Sequence, residues 1–96
     1  MIIYSVEICI EKEIAEEWLR WMKSKHIPDV MKTNLFTQFK IFKNIDMKNT
    51  YTIQYELNSI SKYLKYEKEF APSLQKEHTE KFKGKFQSKR RLLKTD

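Results

Sequence analysis

His26 and His78 are the only histidines in the chain, and they are the side chains whose chemistry fits work at neutral pH. Imidazole titrates between pH 5 and 8, so one held beside a pocket can take a proton from a carbon or oxygen acid and return it. At about 100° per residue, His26 lies on the apolar arc one turn beyond Met22, and His78 lies between Leu74 and Phe82, so both are expected to face inward. The spacing makes His26 the candidate proton carrier, with His78, Tyr51 or Tyr55 as supporting donors and Trp18, Met22, Tyr51 and Tyr55 as the lining of a small-molecule pocket. The competing reading is structural: each histidine bonds a carbonyl or a tyrosine, and the aromatics are core. Two histidines without a His-x-x-x-His pair, a cysteine pair or a carboxylate on the same face give no metal-ligand set. Cys9 is expected to be a small buried residue with no base beside it. No Ser-His-Asp arrangement or carboxylate pair is present. A single glycine, Gly84, leaves no room for a P-loop or a dinucleotide fingerprint, so no cofactor is implied.

Positioning those residues falls to six elements. Ile2, Tyr4, Val6, Ile8 and Ile10 alternate with Ile3, Ser5, Glu7 and Cys9 as a strand with one buried face does. The stretch from Glu13 to Phe36 carries an amphipathic helix: Ile14, Ala15, Trp18, Leu19, Trp21 and Met22 share an arc, and four glutamates crowd its start. Pro28 has no N–H and restricts Ile27, which predicts an end or kink there and a helix in two pieces. Phe36 to Lys43 and Thr50 to Leu57 alternate as two strands of a hairpin, with Phe39, Ile41, Tyr51, Ile53 and Tyr55 on the face of Tyr4 and Val6. A second helix follows Asn58 with Ile60, Tyr63, Leu64, Glu67 and Phe70 on one stripe. Pro72 restarts it with Leu74, His78 and Phe82, and Gly84 stands where a left-handed cap would end it. Phe86 to Leu93 reads as an edge strand bearing Lys89, Arg90 and Arg91.

The order predicts one α+β domain over residues 1–96, a ferredoxin-like βαββαβ unit: a four-stranded antiparallel sheet with two helices on one face. We expect the first and third strands to lie parallel in the middle, which would send both helix C-terminal halves, with His26 and His78, to one end.

Composition sets the outer bounds. Ninety-six residues, 41% of them apolar and 14% aromatic, suit a small core that gains from a partner. With one cysteine and no basic region leading an apolar run, no internal disulfide, signal peptide or membrane span is expected, and a cytoplasmic location follows. The net charge is +6, with one lysine against five glutamates before Trp18 and eight basic against three acidic residues from Lys76 onward. Such an end attracts phosphate without specificity. Base-stacking on the sheet, however, requires aromatics on the outward face of the central strands, where this chain has Ile3, Ser5, Glu7, Cys9, Thr52, Gln54 and Glu56. Nucleic-acid binding is therefore disfavoured. The same face, with Ile3, Cys9 and Phe42 among polar residues, must meet water or a second copy, and we expect a two-fold homodimer through it.

WLRWMKSKHIPDVM, TYTIQYEL and APSLQKEHTEKFKGKF resemble, in order and spacing, a family of small bacterial proteins known as a domain of unknown function. The most specific pieces are Trp18 with His26-Ile27-Pro28, and Ala71-Pro72 with His78, Phe82 and Gly84-Lys85-Phe86. No activity comes with that resemblance. At the level of fold, a His-x-Pro near the end of the first helix is similar to that in dimeric α/β-barrel proteins, which include small monooxygenases, isomerases and mutarotases. That likeness implies a homodimer with a pocket between helices and sheet, whether catalytic or only a binding or assembly module.

Overall fold

The computed structural model describes residues 1–96. Strands β1 (Ile2–Ile10), β2 (Gln38–Lys43), β3 (Thr50–Leu57) and β4 (Phe86–Lys94) form one sheet in the order β2-β3-β1-β4. Every neighbouring pair is antiparallel. Between β1 and β2 lie a 3₁₀ turn (Lys12–Ile14), α1 (Ala15–Trp21), a π-helical turn (Met22–His26) and α2 (Ile27–Met31); α3 (Ile60–Glu69) and α4 (Ala71–Lys81) join β3 to β4. This is the expected ferredoxin-like α+β plan.

The central pair differs from expectation. Ile2 stands opposite Leu57 and Cys9 opposite Thr50, so β1 and β3 run against each other. A crossover through the first helix returns β2 in the direction of β1, and the hairpin then reverses β3. The two helical layers consequently run in opposite directions. His26 and His78 do not share an end of the fold; they meet over the middle of the sheet, where the layers pass.

One face of the sheet builds the core. Tyr4, Val6, Ile8 and Ile10 of β1 and Ile53, Tyr55 and Leu57 of β3 are buried beneath Trp18, Met22, Ile27, Val30, Tyr66, Ala71 and Phe82. Phe39 shares this face, opposite Tyr55, but stays exposed because β2 is an edge strand that the helices do not reach. On α3 the buried side runs through Tyr66, with Tyr63 partly buried, whereas Ile60 and Leu64 are exposed, contrary to the stripe expected from spacing. Cys9 is exposed as well, since it lies on the outward alternation and no layer covers that face.

The first helix is not broken at Pro28. It widens instead, with Ile27 N–H bonding the Met22 carbonyl five residues back. Pro28 then falls in the first turn of α2, where a missing N–H costs little. The break between α3 and α4 does occur, at Phe70 ahead of Pro72, and Gly84 adopts φ 76° after α4 as a left-handed terminator.

Candidate functional site

The π turn decides where Ile27 points. Met22 and Ile27 are both 1% exposed, yet five residues of α-helix would set them roughly 140° apart. Closing one turn over five residues brings both onto the sheet, on the side where His26, one turn after Met22, already lies. Its ring comes within 5.7 Å of the His78 ring, centroid to centroid, and Trp21 lies 5.4 Å from the one and 5.8 Å from the other.

His78 is held firmly. Trp18, fully buried, donates its Nε1–H to Nε2 of His78 at 2.9 Å, which leaves the imidazole proton on Nδ1. Phe86 meets the same ring edge-on at 4.5 Å. Tyr51 packs against the Trp18 ring at 5.2 Å. His26 is held differently: its Nδ1 is buried and has no hydrogen-bond partner in the protein. Burial, and to a lesser degree the positive charge of Arg90, lower the pKa of both rings to about 4; for His78 the neighbouring His26 adds to the effect, and for His26 nearby Asp29 opposes it. Both rings are therefore neutral at pH 7.

A cavity of about 30 Å³ opens between these histidines and the sheet, bounded by Met22, His26, Tyr55, Tyr66, Gln75, His78 and Arg90 over a floor of Tyr4, Val6, Ile8, Ile53 and Phe86. Burial raises the hydroxyl pKa of Tyr4, Tyr55 and Tyr66, so these stay protonated donors. Four of the six residues singled out by sequence, His26, His78, Met22 and Tyr55, line this space. Trp18 and Tyr51 do not: Trp18 stands behind His78 and Tyr51 beneath Trp18. No group of three His, Cys, Asp or Glu side chains is arranged to hold a metal.

Sequence reasoning passed over Arg90 and Gln75 as site residues, and Tyr66 altogether. Arg90 pairs with Val6 across β1–β4, which puts it on the helix-covered face, and its Nε–H donates to the Tyr4 hydroxyl at 3.1 Å. The signal was available in the alternation from Phe86 to Ser88 to Arg90, hidden by the run of three basic residues. Tyr66 could be found only by counting one position off the expected stripe.

The family model described as "Domain of unknown function (DUF4286)" matches residues 1–95. The chain belongs to that family. No curated protein matches the DUF4286 chain in sequence. Among solved structures it is similar to an ethyl tert-butyl ether D (EthD) family protein from Bacillus halodurans, at a TM-score of 0.75 with 7% identity and 100% of both chains covered. It is also similar to SnoaB, a cofactor-independent oxygenase from Streptomyces nogalater, at 0.72 with 9% identity over 99% of this chain and 92% of that one. A conserved protein of unknown function from Bacteroides thetaiotaomicron gives 0.74 and 11% over 98% and 96%. At such identities the shared property is the fold. No helix is long and apolar enough to cross a membrane.

Proposed function

We propose that this protein binds a small molecule in the cavity between helices and sheet and moves a proton there, with His26 as acceptor, and that it works as a homodimer. The observation that carries the reading is the unpartnered, buried Nδ1 of His26 at the cavity wall. Buried polar atoms are nearly always satisfied, so an unpartnered ring nitrogen on a residue that lines a cavity fits a group that expects its partner from outside. In the proposed step the ligand gives a proton from a carbon or oxygen acid to that nitrogen and keeps the electron pair. Tyr55 and Tyr66, which remain protonated, would donate to the oxygen where charge collects. His78, pinned by Trp18, keeps the His26 ring in place by contact. The likeness in fold to SnoaB, a cofactor-independent oxygenase, fits a site made from side chains alone.

A thermal-shift screen of small organic acids and ketones on wild type and His26→Ala tests this. A ligand at a hundred times its Kd adds about 2.7 kcal/mol to wild-type stability, and that gain should vanish in the variant. Equal shifts would retire His26 as a site residue. The second reading, a non-catalytic assembly or binding module, is favoured by one fact: about 30 Å³ holds a water or two, far below the roughly 300 Å³ at which ligand pockets begin. A screen in which nothing binds would support it.

The homodimer rests on the outward sheet face. There Lys89 stands directly across from Glu7 and Arg91 across from Ser5, with Ile3, Leu93 and Phe42 supplying apolar area. A two-fold interface must be complementary to itself, and a face with both charges and apolar residues offers the groups for that.

A further inference from the structure

A cleft of about 390 Å³ lies on the outside of the fold, between the break joining α3 to α4 and strand β4, bordered by Tyr63, Glu67, Ala71 and Pro72. It shares Tyr4, Tyr66, Gln75 and Arg90 with the inner cavity. These four side chains are therefore the partition between the two spaces. Arg90 and Gln75 are its movable members: Arg90 lies on an edge strand and is exposed, and Gln75 is half-buried on α4. Tyr4 and Tyr66 are fixed by packing against the Phe36 ring, at 6.3 and 4.9 Å.

Arg90 is the only charged residue bordering the inner cavity. It forms no ion pair with any carboxylate, and of its five N–H donors one goes to Tyr4 and one to Ser88. Glu67, the one acid on the cleft, accepts instead from the Tyr63 hydroxyl at 3.0 Å. With the histidines neutral and the tyrosines protonated, the site carries one unmatched positive charge above an apolar floor of Val6, Ile8, Ile53 and Phe86.

We propose that the cleft is the entrance to the site, that Arg90 and Gln75 are its door, and that the ligand is a small organic monocarboxylate whose carboxylate pairs with the Arg90 fork while its apolar body passes the door toward His26. Swinging Arg90 away from Tyr4 joins cleft and cavity, so the group that recognises the ligand also opens the space for it. A planar guanidinium with free donors matches a carboxylate with two parallel hydrogen bonds, which a lysine cannot do. Neutralising Arg90 also removes one cause of the depressed His26 pKa, making that ring a better proton acceptor with ligand present. The passage of the ligand toward His26 thus rests on the proton-transfer reading, but entry and anion recognition do not depend on His26.

The probes are propionate, hexanoate, octanoate and benzoate, each against its primary amide, followed by titration calorimetry and by imidazole ¹⁵N spectra of the two histidines. At least one carboxylate should bind wild type and its amide should bind at least about tenfold more weakly. Arg90→Gln should lose about tenfold or more, Arg90→Lys should recover only part, and Lys83→Gln, an exposed lysine beyond α4 that borders neither space, should bind as wild type does. The His26 signal should shift toward the protonated form on binding. Amides binding as well as acids, no acid binding at all, unchanged affinity in Arg90→Gln, or equal loss in Lys83→Gln would each overturn the proposal. Retention of carboxylate binding in His26→Ala with loss in Arg90→Gln would leave this inference standing and remove His26 from the function. A neutral ligand lost in His26→Ala but kept in Arg90→Gln would do the reverse.

Discussion

Trp18 serves two purposes that substitution can separate. Its indole fills a fully buried site, and its Nε1–H satisfies His78. Trp18→Ala should cost about 3 to 5 kcal/mol, as emptied aromatic sites do. Trp18→Phe keeps much of the volume but strands a buried acceptor, at about 1 to 3 kcal/mol. Urea unfolding of both variants checks the order, and a phenylalanine variant as stable as wild type would show that His78 needs no donor. The histidines also set a pH dependence. Their folded pKa lies near 4 against an ordinary 6.5, so between those values the unfolded chain binds protons that the folded one refuses. Stability is then complete above about pH 6.5 and falls as the pH drops toward 4, by of order 2 to 3 kcal/mol for each histidine. Denaturation midpoints at pH 4.5, 5.5 and 7 should show this slope, and His26→Ala should flatten it. The charged groups acting on His26 are Asp29, Arg90 and Lys25.

At the scale of the element, the π turn poses a question of cause. Either Pro28 forces the widening, or the core demands that Met22 and Ile27 both face the sheet. Both side chains are fully buried, and each such side chain is worth about 1.5 to 3 kcal/mol, so the core should win. Pro28→Ala is expected to leave the turn in place and change stability by less than about 1 kcal/mol, because Pro28 already sits in a first turn. Deleting exposed Ser24 would leave Ile27 four residues after Met22, about 40° away on an ordinary α-helix, so both could keep facing the sheet without a widened turn. That variant should change stability by less than about 1 kcal/mol in urea unfolding. A loss of several kcal/mol would show that Pro28 forces the widening whatever the spacing, and would make the proline the cause. Lys25, bonded to Asp29 and 3.8 Å from Glu77 of α4, ties the turn to the neighbouring layer but is exposed and adds little.

Across the whole molecule, the helices cover one face of the sheet and leave the other open. If two copies meet through that face, light scattering should give twice the 11.8 kDa chain mass over a dilution series. Glu7→Lys sets a lysine across from Lys89, and Ile3→Asp adds a charge to the apolar part, so each should weaken association at least about tenfold. A single-chain mass at every concentration would end the homodimer, and a dimer untouched by both changes would place it elsewhere.

Much of this arrangement is local physics and was legible in the sequence. Alternation assigned β1 and β3 their bounds and faces, because a strand shows its burial every second residue. Pro72 and Gly84 marked the restart and end of α4 through a missing N–H and a positive φ. His26 and His78 were placed inward by helical spacing, and they are. What spacing could not carry was anything set by two elements at once. The antiparallel β1–β3 pairing follows from counting chain reversals across a crossover and a hairpin. The widened turn that joins Met22, His26 and Ile27 on one side is a compromise between a proline and a core, and neither alone specifies it. Arg90 reads as edge-strand charge in sequence, yet its register opposite Val6 aims it into the site. Whether a residue lines a cavity depends on partners distant in the chain, and only the packed layers fix those.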